Sequence, residues 1–221
     1  MLKEDNQISS KYDSAEDDNS RGDYDYTLEE PNELWQIDIS YIPKKSHDFR
    51  YLISALDDYS RKIMNHILPP TMGGRDLVDV IDEGIPDYEL AEDPHKFLTD
   101  IGTQMTSTRF KEYVKSLDTD HLRTAYNHPE TYGLIERYHR TVKDKDVFPK
   151  SYDDPFATKE VIKEFIHFYN YERPHKALGQ VTLQQKYEGV AEKIKKLQEG
   201  LKKRSLERRK KLNKLREVVK P

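Results

Sequence analysis

The sequence predicts an α/β domain with a mixed sheet, because three extended segments are followed by helical and extended segments in alternation. Alternating apolar and β-branched residues indicate strands at 34–42, 51–56, 63–68, 96–99 and 121–124. Apolar residues at helical spacing predict helices at 76–85, 107–117, 133–144 and 155–171. The first three strands are expected to form an antiparallel meander, because only short turns separate them. This order of segments is typical of a sheet covered by helices.

Charge divides the chain into three segments. Residues 1–30 hold ten Asp/Glu and three Lys/Arg, a net charge of −7, with little apolar periodicity, so a disordered acidic arm is expected. Residues 189–221 hold thirteen Lys/Arg and four Asp/Glu, a net charge of +9, which predicts a basic helical tail that faces nucleic acid. The folded core is therefore expected at 31–188.

Composition excludes several classes of protein. The chain has no cysteine, which rules out disulfides and cysteine-ligated zinc. No apolar run approaches the roughly 18 residues that a membrane span needs, and the acidic N-terminus is unlike a signal peptide. We therefore expect an intracellular protein with no membrane partner.

Three acidic residues stand at the ends of predicted elements. Asp38 lies in the first strand, on the same face as Gln36 and Ser40. Asp100 follows the fourth strand, and Glu136 lies near the start of the predicted helix at 133–144. Mg²⁺ and Mn²⁺ prefer hard oxygen ligands, and two such ions suit phosphodiester chemistry. Because the chain has 41 Asp and Glu residues, the pattern alone is weakly specific.

Five segments in order resemble insertion-sequence transposases with a retroviral-integrase-type catalytic core. Residues 33–42 (ELWQIDISYI) resemble the first catalytic strand, and residues 51–61 (YLISALDDYSR) the second strand and turn. Residues 99–104 (TDIGTQ) and 128–137 (HPETYGLIER) resemble the segments of the second catalytic Asp and the Glu. Between Asp100 and Glu136 lie 35 residues, as in the Asp-Asp-35-Glu family. The closing motif is similar at Tyr169-Asn170, Arg173-Pro174-His175 and Leu178-Gly179.

The resemblance implies a ribonuclease H-like fold with a five-stranded mixed sheet, followed here by the basic helix. It implies that Asp38, Asp100 and Glu136 hold two Mg²⁺ or Mn²⁺ ions. The activity implied is hydrolysis at a transposon end, followed by attack of the freed 3′-hydroxyl on target DNA. The implied partners are transposon-end and target DNA, further copies of the chain on DNA, and a separate helix-turn-helix subunit. A cytoplasmic, nucleoid-associated location follows.

Basic residues after Glu136 are candidates for DNA contact. Arg140 and Lys143 stand four and seven residues further on, so they share the helix face of Glu136 and could reach a phosphate beside the metals. The alternative is two solvated cations. Arg137 is a weaker candidate for DNA contact, because Arg137 and His139 are expected to point elsewhere.

Other conspicuous side chains are given structural roles. Trp35 is expected to pack in the core, and Asp57 and Asp58 are expected to serve a turn instead of a metal site. His121 is interpreted as structural or DNA-adjacent, and His175 as locking the end of the domain onto the core.

Two alternatives to an active transposase stay open. One is a catalytically impaired or domesticated DNA-binding remnant, which Ile101, Glu130 and Tyr132 favour because the family usually has Asn, Gln and Asn there. The other is a structure-specific nuclease, which the closing motif disfavours. The tail also has a rival interpretation, in which it pairs with another subunit through Ile194, Leu197, Leu201, Leu212 and Leu215.

Overall fold

A computed structural model of the 221-residue chain describes residues 28–43, 49–85, 96–123, 129–144 and 155–218. Packing separates the chain into two compact units, with the division between Ile166 and His167. The closing motif belongs to the second unit, and the boundary expected at 188 stays a prediction. The acidic arm expected at 1–30 lies outside the described residues except for 28–30.

Five strands of the first unit form one mixed sheet in the order β3-β2-β1-β4-β5. The antiparallel pairs are β1 with β2 and β2 with β3, whereas β4 runs parallel to both β1 and β5. Their bounds are β1 Trp35–Pro43, β2 Phe49–Asp57, β3 Ile63–Ile67, β4 Lys96–Thr99 and β5 Asp120–Arg123. The predicted meander and mixed sheet are confirmed, with β1 at the centre.

Four helices accompany this sheet: α1 Gly74–Asp82, α2 Thr108–Ser116, α3 Pro129–Asp144 and α4 Pro155–His167. Local hydrogen bonds explain where two of them begin. The Asp76 carboxylate accepts from the Gly73 N–H at 2.8 Å before α1, and the Ser107 hydroxyl accepts from the Phe110 N–H at 3.4 Å at the start of α2.

Helix α3 begins four residues earlier than the sequence predicted. The expected start was Gly133, whereas the helix starts at Pro129. Proline suits the first helical turn, because it has no N–H to leave unsatisfied and its φ is already helical. Glu136 therefore lies about two turns into α3.

One face of the sheet packs against α1 and α2 to form the apolar core. Trp35 and Ile37 alternate along β1 onto this face, where Trp35 meets Phe97 edge-on. The Trp35 indole N–H also donates to the Asn32 side-chain oxygen at 3.0 Å. The predicted packing role of Trp35 is confirmed. The core cluster comprises Trp35, Ile37, Ile53, Ala55, Leu77, Val80, Ile81, Phe97, Met105, Phe110 and Val114.

The turn after β2 is organised by Asp57. Its buried carboxylate accepts from the Asn32 N–H and the Ser60 N–H, each at 2.8 Å, and from the Ser60 hydroxyl. Burial raises the pKa of Asp57 despite these hydrogen bonds. All of these contacts hold the turn, so the turn interpretation of Asp57 is confirmed.

The second unit contains a π-helical turn at Phe168–Glu172, a 3₁₀ turn at Lys176–Leu178, helix α5 Leu183–Tyr187 and helix α6 Ala191–Val218. His175 links the two turns of the closing motif. Its Nε2 lies 3.1 Å from the Tyr169 carbonyl oxygen, and its backbone N–H donates to Val181 at 2.8 Å. These contacts organise the closing motif, and the expected role of His175 in locking the domain end onto the core stays a prediction.

Helix α6 confirms that the basic tail is helical. It runs for 28 residues, and its side chains from Lys196 to Lys214 are exposed. Across the described ranges, no helix combines the length and apolar character needed to cross a membrane.

Candidate catalytic site

Asp38 and Asp100 stand side by side on neighbouring strands. β1 and β4 run parallel, with Ile37 opposite Thr99. Asp38 directly follows Ile37, and Asp100 directly follows Thr99. Burial raises the pKa of the Asp100 carboxyl, the Gly102 N–H lowers it, and the charge of Asp38 raises it further. The parallel register therefore brings two carboxylates close enough to repel each other.

The turn after Asp100 holds this carboxylate in place. The Gly102 N–H donates to Asp100 Oδ1 at 2.9 Å. A Cβ atom at position 102 would lie 2.9 Å from that same oxygen, a distance that side chains do not tolerate. A larger residue at position 102 would therefore displace the Asp100 carboxylate from its present place.

Glu136 shares a cleft with Asp38. The cleft, of about 360 Å³, opens between β1 and α3, and Glu136 is exposed in its wall. Its lining consists of Asp38, Ile39, Ser40, Tyr41, Glu136, His139, Arg140 and Lys143. Two of the three candidate carboxylates therefore face the same space, and the third, Asp100, lies beside Asp38.

The donors are of the type that Mg²⁺ and Mn²⁺ bind, although the side chains do not form a ready-made cage. Among the described residues, no group of three or more His, Asp or Glu is placed so that it could hold a metal ion. Asp38, Asp100 and Glu136 offer hard oxygens, and a cation would relieve the repulsion between the two aspartates. The residue chemistry therefore fits divalent ions.

His139 contacts Asp38, contrary to the expectation that it points elsewhere. Its side chain is 4% exposed, with Nδ1 3.0 Å from Asp38 Oδ2 and Nε2 3.1 Å from the Ser54 hydroxyl. Residue 139 lies three positions after Glu136, about 60° around the helix, so it faces the sheet while Glu136 faces the cleft. The buried spacing Ile135–His139–Val142 is the sequence signal that could have found it.

Gln36 makes a second contact between β1 and α3 that the sequence did not predict. Its Oε1 accepts from the Ile135 N–H of α3 at 3.2 Å, and its Nε2 donates to Asp58 Oδ1. Burial, opposed by the Gln36 hydrogen bond, raises the pKa of Asp58 to about 6. Gln36 therefore ties α3, next to Glu136, to the centre of the sheet, and the turn residue Asp58 braces Gln36.

The three candidate DNA contacts occupy different positions on α3. Arg140 and Lys143 line the cleft with Glu136, whereas Arg137 is exposed and lies outside that lining. The Arg137 carbonyl accepts from the Thr141 hydroxyl at 2.8 Å, an ordinary helical contact.

Positions where the sequence departs from the family pattern are only partly described. Ile101, beside Asp100, is 51% exposed. The side chains of Glu130 and Tyr132 lie outside the described part of the chain. His121 has the structural role expected: Nε2 is 2.9 Å from the Thr99 hydroxyl, and its ring meets Phe110 edge-on.

Solved structures with the same arrangement of strands and helices are integrase catalytic cores. One match is a chain in the cryo-EM structure of the simian T-cell lymphotropic virus intasome in complex with PP2A regulatory subunit B56 gamma. It has a TM-score of 0.64 and 20% identity, over 76% of this chain and 58% of that one. Another is the HTLV-2 integrase catalytic core domain in complex with magnesium (trimeric form), with a TM-score of 0.58 and 19% identity, over 72% of this chain and 97% of that one. The fold is thus that of a ribonuclease H-like domain.

Sequence comparisons identify the family within that fold. Two family models, both described as integrase core domain, match residues 29–129 and 117–182. The transposase for insertion sequence element IS904 of Lactococcus lactis is 26% identical over 67% of this chain and 58% of its own length. The putative transposase InsD for insertion element IS2E of Escherichia coli is 31% identical over 41% of this chain and 42% of its own. The chain belongs to the integrase core family. It spans about three fifths of the IS904 transposase.

Proposed function

We propose that this chain is the catalytic part of a DNA transposase. It hydrolyses a phosphodiester bond at a transposon end and then joins the freed 3′-hydroxyl to target DNA. The observation that carries the proposal is the parallel register that puts Asp38 beside Asp100, with Glu136 in the cleft next to Asp38. Similarity to insertion-sequence transposases supports DNA as the substrate.

In this proposal Asp38, Asp100 and Glu136 hold two Mg²⁺ or Mn²⁺ ions. Two such ions, when bound, activate the attacking oxygen and stabilise the leaving oxygen of an in-line displacement. The protein contributes the positions of its carboxylates: neighbouring strands fix two of them, and α3 carries the third. A magnesium complex of the HTLV-2 core, which has the same fold, supports the choice of ion.

Arg140 and Lys143 are proposed to hold the DNA backbone. Both line the cleft with Glu136, so a phosphate that contacts them lies beside the carboxylates. Arginine and lysine bind phosphate oxygens through charge-assisted hydrogen bonds, which fix the register of DNA without reading its sequence. Arg137, outside the lining, is proposed to make at most a peripheral contact.

Assembly on DNA is part of the same proposal. The HTLV-2 core occurs in trimeric and dimeric forms, and the simian virus match comes from an intasome. We therefore expect several copies of this chain to act together on the nucleoid, with a helix-turn-helix module outside the core recognising the transposon ends.

Replacement of Asp100 by Asn tests the chemistry. The substrate is duplex DNA from the ends of the genetic element that encodes the chain, supplied with Mn²⁺. We expect the full-length protein to nick this DNA and Asp100→Asn to lose nicking, because the change removes one negative charge and one hard oxygen ligand. DNA binding, followed by fluorescence anisotropy, should persist.

Asp118→Asn provides the matched control. Asp118 is exposed, and its backbone has a positive φ of 53°, a conformation that Asn accepts readily. The control should nick at the parent rate. Nicking by Asp100→Asn at the parent rate would place the site elsewhere, whereas activity gained only on Ile101→Asn would identify an impaired remnant.

A further inference from the structure

His139 connects two polar side chains of the sheet from its place on α3. The ring is 4% exposed, and its two nitrogens contact Asp38 Oδ2 at 3.0 Å and the Ser54 hydroxyl at 3.1 Å. Ser54 is fully buried on β2, directly opposite Asp38 in the antiparallel register. A histidine with both nitrogens engaged and almost no access to water has one available orientation.

The hydrogen bonds of this group have a defined direction. An ionised carboxylate only accepts, so Nδ1 of His139 carries the hydrogen that is donated to Asp38. In the neutral ring, Nε2 then accepts from the Ser54 hydroxyl, which has one hydrogen to donate. The Asp38 carboxylate therefore selects the tautomer, and the Ser54 hydroxyl holds the ring at the angle that serves Asp38.

Both oxygens of Asp38 are consequently oriented by the protein. Oδ1 accepts from the Ile39 N–H at 2.8 Å, and Oδ2 contacts His139. Each oxygen has two lone pairs, so both oxygens keep a free acceptor position directed away from these contacts. A carboxylate held at two points presents a fixed face to a cation.

The same contact joins Asp38 to the helix that carries Glu136. His139 follows Glu136 by three residues on α3, and four residues before His139 the Ile135 N–H donates to Gln36 of β1. Two polar ties, one turn apart, thus hold α3 on the face of β1 that carries Asp38. Their loss would free the carboxylates to move independently.

We propose that His139 is a positioning residue: it fixes the Asp38 carboxylate for binding a divalent ion and couples that carboxylate to Glu136. The proposal rests on the proposed function, because the ion is the one that Asp38 is proposed to bind. His139 itself is not assigned as a ligand. Partners that orient metal-binding side chains typically change metal affinity by about 10- to 100-fold when they are removed.

Mn²⁺ binding to the full chain without DNA tests this role. Free Mn²⁺ is measured by electron paramagnetic resonance during a titration, and circular dichroism verifies that each variant is folded. We expect His139→Ala to weaken Mn²⁺ binding by about 10- to 100-fold. His139→Asn should recover much of the affinity, because its amide nitrogen stands near the place of Nδ1 and can donate to Asp38.

His167→Ala is the control. His167 is an exposed histidine at the end of α4, where its ring contacts Glu172 and Tyr171 and none of the side chains that hold Asp38. It should leave Mn²⁺ affinity unchanged. If His139→Ala does not fold, Ser54→Ala decides, because it removes only the hydroxyl that holds the ring and should still weaken binding several-fold.

The outcomes separate this proposal from the one on which it rests. Parent-level affinity in folded His139→Ala, or in Ser54→Ala if the former does not fold, would overturn the positioning role and leave the metal site standing. Equal losses in the Asn and Ala variants would overturn the hydrogen-bond mechanism. If the parent chain binds Mn²⁺ no better than Asp38→Asn, the metal site of the proposed function fails, and the role of His139 fails with it.

Discussion

Helices α3 and α6 both carry basic residues, but they expose them in different ways. α3 buries one face, formed by Ile135, Tyr138, His139 and Val142, and so has a fixed rotation about its axis. α6 is exposed along most of its length, including Leu197, Leu201, Leu206 and Leu212. Packing therefore fixes the direction in which each cation of α3 points. It does not fix the direction of most cations on α6.

This difference predicts two kinds of contact with DNA. Arg140 and Lys143 lie in the same cleft as Glu136, so their contact with a phosphate is tied to the catalytic position. On α6, successive cations such as Lys202, Lys203 and Arg204 project about 100° apart around the axis. Such an arrangement suits contact with any stretch of backbone, without register or sequence.

Neutralising α6 should have the largest effect on DNA affinity. We propose replacing five exposed cations with Gln while the helix is kept, because Gln is a good helix former. If all five contact phosphates, the slope of log K against log salt should flatten by about 4 to 5 units. The measurement is anisotropy with a non-cognate duplex between about 50 and 200 mM salt. The positions are Lys202, Lys203, Arg204, Arg208 and Arg209.

Arg replacements at the two lysines, Lys202 and Lys203, with Lys replacements at the three arginines, provide the control, because they keep the charge and should keep the slope. The rival role of α6 is association with another copy through its exposed leucines. Sedimentation of a Leu197, Leu201 and Leu212 triple Ala variant distinguishes the two. A fall in mass in this triple variant, combined with an unchanged salt slope in the Gln variant, would make α6 an assembly helix.

The loss of unfolding free energy on truncating a side chain provides the second test of the difference between α3 and α6. Ile135→Ala should lower the free energy of unfolding by about 2 to 5 kcal/mol, because Ile135 is fully buried between α3 and the sheet. Leu201→Ala should change it by less than about 0.5 kcal/mol, because Leu201 is 59% exposed. Trp35 fluorescence follows the first unit, and circular dichroism follows the helices of both units, during urea unfolding. A large loss of unfolding free energy in Leu201→Ala would show that Leu201 packs against a partner of α6.

The sequence predicted the sheet well, because each strand shows its alternation locally. Trp35 and Ile37 mark the core face of β1, Asp38 lies on its opposite face, and Asp100 directly follows β4. It predicts a start of α3 at 133, four residues late, because the proline at 129 that begins the helix is also common in loops.

The sequence could not predict the contacts that depend on the rotation of one element against another. A helical projection relates His139 to Glu136, but it does not say which polar side chain of the sheet lies beneath it. The contact with Asp38 follows only when Ile135 and Val142 are known to face the sheet. The link from Gln36 to the Ile135 N–H spans 99 residues of sequence and has no local signature.

The smallest expected effect concerns the cations of α3. Replacing Arg140 and Lys143 together with Gln should flatten the salt slope by at most about 1.8 units, since each phosphate contact contributes about 0.9. Nicking should nevertheless fall well beyond the loss of binding, because a phosphate that leaves these residues also leaves the carboxylates. Arg137→Gln is the matched control on the same helix, since it removes one charge outside the cleft lining. It should affect the slope by at most about 0.9 unit and leave the nicking rate at saturating DNA unchanged. Arg137→Gln and the double variant would then lower the nicking rate equally only if the direction in which these cations point did not matter. In that case α3 and α6 would bind DNA in the same way, without a fixed direction.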